Sequence, residues 1–211
     1  MDDKIAGAWP DVPRLCFADG GPPHLDACLN WALSLPGSGA SSGAQLYIHG
    51  YRRAAEALFS HVDRCERMSP DYIVFPLVFL WRHHLELALK NVIATGKELE
   101  CEDPTFPVHH RLRDLWNTAK TYVVMHGDPE APELANVESN ISEFERIDPA
   151  AIGFRYPRDR SGSSPALTNP PLTINLAGLQ EGMVAISNFL DAVHECQKRA
   201  LDAAAEAENW R

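Results

Sequence analysis

The stretch "FPLVFLWRHHLELALKNVI", residues 75–93, decides the fold. It reads as a helix whose every face is nearly apolar, the pattern of a central helix that touches several neighbours. Yet Arg82, His83, His84, Glu86 and Lys90 stand in its middle. At about 100° per residue, Arg82, Glu86 and Lys90 share one arc of roughly 80°, with His83 beside them. His84 and Asn91 fall on nearly the opposite side. One polar stripe is therefore cut into an otherwise greasy rod.

Working outward, this helix is predicted from about 71 to 95, with Pro76 in its first turns and Gly96 at its end. Before it, a long helix spans about 44–67, with Ser41 or Ser42 near its N-cap and Leu46, Ala54, Leu58, Val62 and Cys65 as its apolar stripe; Arg52, Arg53, Arg64 and Arg67 face elsewhere. Residues 1–43 form an irregular arm, rich in Pro and Gly, with a short helix at 23–35 and a linker at 36–43. After the central helix, 97–108 is a loop. Helices follow at 109–125, through Leu112, Leu115, Trp116 and Val123, and at 132–147, through Leu134, Val137, Ile141 and Phe144. The 28 residues after Ile147 change character: "GFRYP" and "PLTIN" flank a Gly/Ser/Pro-rich connection, which predicts a small β-hairpin-like excursion near 153–175. Asn175 reads as the N-cap of a last helix over 176–206, through Leu179, Met183, Ile186, Leu190 and Val193. The expected fold is all-α: about five helices in one bundle domain over 44–208.

The chain has 211 residues and a net charge of −10, which argues against a surface coated in phosphate contacts but leaves room for a local basic site. Five scattered cysteines, none at C-x-x-C spacing, predict neither a thiolate zinc site nor a disulfide framework, and fit a cytoplasmic protein. Asp2 and Asp3 precede any apolar run, and "YIVFPLVFLW" at 72–81 is too short to span a bilayer, so neither a secretory signal nor a membrane is expected.

Two readings of the stripe stand side by side. In one it is a solvated face, because Arg82–Glu86 and Glu86–Lys90 are i,i+4 pairs worth only about 0.2–0.5 kcal/mol each. In the other it is a pocket wall: Glu86 holds a basic partner from elsewhere and His83 does proton work near neutral pH. His83-x-x-Glu86 reverses the order used in carboxylate-bridged di-metal bundles and has no second copy. Adjacent histidines also diverge by about 100° on a helix, so no metal is expected. Nor do nucleotide-binding fingerprints or a nucleophile elbow occur, and no cofactor is expected.

"RHHLELALKNVI" (82–93), followed by "HHRLRDLW" (109–116) and later by "RYP" (155–157), resembles the signature of HEPN domains (higher eukaryote and prokaryote nucleotide-binding). There an aliphatic-Glu-Leu-x-Leu-Lys helix precedes a loop and a His-x-Leu-x-x-Leu helix. The likeness covers about 70–160 by motif and the last helix by architecture. It implies a helical bundle, a homodimer, and a place in prokaryotic defence or toxin–antitoxin systems. It also implies metal-independent RNA cleavage resting on an Arg-x4–6-His motif, in which the arginine stabilises phosphate charge and the histidine activates the ribose 2′-hydroxyl. No histidine here has an arginine at that spacing before it. The site expected instead pairs Arg155 with the Glu86 stripe, with His83 or His84 as the base. Arg155 and His83 are the catalytic candidates; Arg82, Glu86, Lys90, Tyr156 and Arg158 are the binding candidates. In "RYPRDR" (155–160) three arginines beside Tyr156 suit a phosphate or an RNA base, or else Arg155 bridges to Glu86 while Arg158 and Arg160 are solvated and pair with Asp159. Against RNA binding or cleavage stands a non-enzymatic helical scaffold, homodimeric or bound to a partner protein.

Overall fold

The computed structural model describes residues 40–64, 69–125, 128, 130–167 and 173–209. They form five helices: α1 (Ala40–Arg64), α2 (Pro70–Leu99), α3 (Leu112–Met125), α4 (Pro132–Ile147) and α5 (Leu176–Asn209). Among the described residues there is no strand. The short helix expected at 23–35, and the arm up to residue 39, lie outside the described residues; residues 40–43 already belong to α1.

α2 is the hub. It packs against α1, α3 and α5, and α4 closes on α3 and α5. From Leu77 to Gly96 every residue except Phe79, Leu80, His83 and Leu87 is buried. Trp81, Leu85, Leu89 and Ile93 are wholly covered, each burial worth about 1.5–3 kcal/mol. Ser69 caps the helix, its Oγ accepting from the Asp71 N–H at 3.3 Å, with Pro70 at the first position, where a missing N–H costs nothing. Pro76 lies on the exposed side, and α2 runs on through it.

Gly96 does not end α2. A Cβ there would stand 2.6 Å from Tyr122 Cβ, so the glycine serves the close approach of α3. The helix ends at Glu100. The Glu102 N–H reaches the Lys97 carbonyl at 2.8 Å and the Cys101 N–H reaches Glu98 at 3.1 Å, with Cys101 at φ +57. That is a Schellman closure without glycine. Asn175 caps α5 as expected, accepting from the Gly178 N–H at 3.1 Å.

The core residues expected on α3 and α4 are buried, as are Met183, Ile186 and Leu190 on α5. On α1 the expected stripe is rotated. Ile48 and Ala55 are buried, whereas Ala54 is exposed. Arg52, expected to face outward, turns toward α5: its Nη1 donates to Ser187 Oγ at 2.8 Å and to Asp191 Oδ2 at 3.0 Å, and its Nη2 donates to Asn188 at 2.8 Å. Four aligned acceptors, with Glu56 as the fourth, outweigh the cost of partly burying one guanidinium.

The predicted hairpin near 153–175 is a turn with one antiparallel bridge, Arg158 to Pro165. Pro157 and Pro165 lack the N–H groups a longer ladder needs, and part of "PLTIN" lies outside the described residues. The turn is anchored instead by buried Asp148, whose Oδ1 accepts from the N–H groups of Ile152 and Gly153, both at 3.0 Å. Phe154 then plugs into the core.

Candidate functional site

Phe79, His83, Glu86 and Lys90 recur at i, i+4, i+7 and i+11, so they line one face of α2. The stripe is covered rather than solvated. Glu86 is 3% exposed, Arg82 4% and Lys90 8%. Glu86 Oε1 accepts from Lys90 Nζ at 3.0 Å, and Oε2 lies 3.6 Å from Arg82 Nη1, so both i,i+4 pairs form. The partner from elsewhere is His110, just ahead of α3, whose Nδ1 lies 2.7 Å from Glu86 Oε1. Arg82 Nη2 donates to the His110 carbonyl at 3.1 Å and fixes the backbone that carries the ring.

Burial alone pushes the Glu86 carboxyl up, but hydrogen bonds from His110 and Lys90, with their charges, outweigh it and leave the group below its ordinary range. An ionised carboxylate only accepts, so His110 Nδ1 carries the proton. The other ring nitrogen, Nε2, is unclaimed by Glu86 on a side chain that is 65% exposed. This is a buried acid orienting an exposed imidazole, the arrangement that readies histidine for proton transfer. Arg82 Nε is buried without a partner. Burial also draws the Arg82 guanidinium below its ordinary range, opposed by Asp148 and Glu86.

His83 lies half-buried one turn toward the N-terminus. Tyr51 meets it edge-on at 4.4 Å and Phe79 stacks on it at 5.7 Å. Burial lowers its pKa; the charge of Glu86 opposes this, while Lys90, Arg155 and His110 add to it. His83 is therefore a neutral imidazole near pH 7, within electrostatic reach of His110 and Arg155.

Arg155 reaches this neighbourhood but not Glu86. Its Nε and Nη2 donate to the Ala151 carbonyl at 3.2 and 2.8 Å, and its guanidinium carbon lies over the Phe79 ring at 5.8 Å and the Tyr156 ring at 5.6 Å. The expected Arg155–Glu86 pair is replaced by Glu86–His110, because Lys90, Arg82 and His110 already fill the carboxylate's surroundings. Tyr156 is exposed beside the site. Arg158 turns to its own loop, Nη1 approaching the Ser163 carbonyl at 3.5 Å, and does not join the stripe. Its expected partner Asp159 instead accepts from the Ser161 hydroxyl.

His84, the alternative base, belongs to the scaffold. Its Nδ1 donates to the Ile48 carbonyl at 2.9 Å, so Nε2 accepts from the Ser187 hydroxyl at 2.9 Å, and burial lowers its pKa. Further along the same seam, Asn91 Nδ2 donates to His194 Nδ1 at 3.0 Å. Sliding α2 against α5 by a turn would strand these buried groups.

The residue missed by sequence reasoning is His110. Its signal was the histidine of the His-x-Leu-x-x-Leu motif itself, His110-x-Leu112-x-x-Leu115. No group of three or more His, Cys, Asp or Glu among the described residues is placed to hold a metal ion, and no helix among them is long and apolar enough to cross a membrane. No family model, curated protein or solved structure matches the chain.

Proposed function

We propose that this chain is a HEPN-like protein that binds and cleaves RNA without a metal, acting in a prokaryotic defence or toxin–antitoxin system as a cytoplasmic homodimer. The observation that carries the chemistry is the 2.7 Å bond from His110 to buried Glu86. The motif likeness of α2 and α3 carries the family and its setting. Neutral His83 takes the proton of a ribose 2′-hydroxyl, whose oxygen attacks the adjoining phosphorus. In its imidazolium form His110 keeps its Nδ1 hydrogen bond to Glu86 and gives the Nε2 proton to the departing 5′-oxygen, so the products are a 2′,3′-cyclic phosphate and a 5′-hydroxyl. Glu86 positions His110. Arg155 meets the charge that builds on the non-bridging oxygens, filling by its place in the fold the role an Arg-x4–6-His spacing fills by sequence.

A second reading, the non-enzymatic scaffold, is favoured by one fact: the Glu86 carboxylate already has Arg82, Lys90 and His110 as partners without any ligand. Incubation of total RNA in chelator with wild type, His110→Ala and Arg155→Ala separates the two. Cleavage that falls about 100-fold or more in His110→Ala supports the enzyme, in the range expected for one general acid. Intact RNA with no retention on a filter supports the scaffold.

A further inference from the structure

Four flat groups, His83, Phe79, Arg155 and Tyr156, stand together on the same side of the molecule. His83 stacks on Phe79 with an interplanar angle of 12°, and Arg155 lies over both Phe79 and Tyr156. Tyr156 is the outer tier and is 57% exposed. A large aromatic ring held at the surface by a guanidinium, rather than folded onto apolar neighbours, offers a π-face to a flat partner. The mounting is rigid: Asp148 ties down the turn, Ala151 takes φ +61, and two hydrogen bonds to the Ala151 carbonyl aim Arg155. No carboxylate among the described residues touches Arg155, and its Nη1 meets no acceptor among them, so its charge is available to a phosphate.

We infer that Tyr156, with Arg155 and Phe79 behind it, is a stacking platform for an unpaired RNA base whose neighbouring phosphate lies at the His83–His110 pair. This rests on the RNA-cleaving reading and adds to it a base-binding subsite beside the reacting groups. A paired base shows no free face, so duplex is refused, and because every base has a π-face the platform tolerates sequence. On a chain of net charge −10, stacking supplies attraction that phosphate contacts alone cannot.

The test is fluorescence anisotropy with a short fluorescein-labelled 2′-O-methyl RNA, which lacks the attacking hydroxyl and stays intact. Tyr156→Ala is expected to weaken binding about tenfold or more, with Tyr156→Phe close to wild type and Tyr156→Trp at least as tight. The same strand in duplex should bind no better than Tyr156→Ala binds the single strand. Equal binding by Tyr156→Ala and wild type, or full rescue by Tyr156→Leu, overturns the platform. If wild type still cleaves RNA through His110 in that case, the parent reading survives. If wild type neither binds this strand nor cleaves RNA, both fall.

Discussion

Glu86→Gln keeps the size of the side chain and one acceptor oxygen, and deletes the negative charge. Lys90 and Arg82, 8% and 4% exposed, are then left in a dry space with no carboxylate in contact. Breaking a buried ion pair by removing one partner costs about 3–5 kcal/mol. The lower end applies, because the amide oxygen still accepts from Lys90 and Arg82 keeps the His110 carbonyl. A loss of about 3 kcal/mol at an m of about 3 kcal/mol/M moves the urea midpoint at pH 7 down by about 1 M. Adding Lys90→Met removes the stranded ammonium and should restore a large part of the loss. The Glu86 carboxyl lies below its ordinary range in the fold, so its stabilisation is complete above the unfolded carboxylate pKa and fades as pH falls through the lower, folded value. The gap between wild type and Glu86→Gln should therefore close in acid. A midpoint for Glu86→Gln indistinguishable from wild type at pH 7 would refute the buried knot, and with it the claim that Glu86 is a dry positioning group.

Three further perturbations probe the frame around the site. Burial keeps His84 and His194 neutral with lowered pKa values, so the unfolded chain takes up their protons first. Stability should fall as pH drops below about 6.5, by at most about 1.4 kcal/mol per pH unit for each, read from urea midpoints between pH 7.5 and about 5.5; a flat profile would show the two rings solvated. Gly96→Ala improves helix propensity by about 1 kcal/mol yet drives a methyl into Tyr122 Cβ and Cγ, and should lower stability by about 1–3 kcal/mol net of that gain; a rise in Tm would mean that α3 can retreat. Arg52→Ala should cost about 2 kcal/mol by severing α1 from Ser187, Asp191 and Asn188. Its exposed neighbour changed as Arg53→Ala should stay within about 0.5 kcal/mol, and equal losses would refute the inward placement of Arg52.

What the sequence determined by itself was local. Helical periodicity located α2 to α5 to within a few residues, and Asn175 could be read as a cap, because capping and amphipathic spacing act between residues a few positions apart. Helical spacing also shows which side chains share a face, and it places Glu86 within reach of Lys90. Tertiary structure decided the rest. Whether the Arg82–Glu86–Lys90 stripe is wet or dry depends on what the fold brings over it, and one group brought to it is His110, 24 positions from Glu86. Arg155 faces Phe79 rather than Glu86 because the carboxylate's coordination was already full. Gly96 and Arg52 take their places for the same reason: one answers to Tyr122 across a helix crossing, the other to α5 some 135–139 residues away. Such contacts leave no period in the chain, because helix propensity and capping are summed over neighbours in sequence, whereas desolvation and charge pairing are summed over neighbours in space.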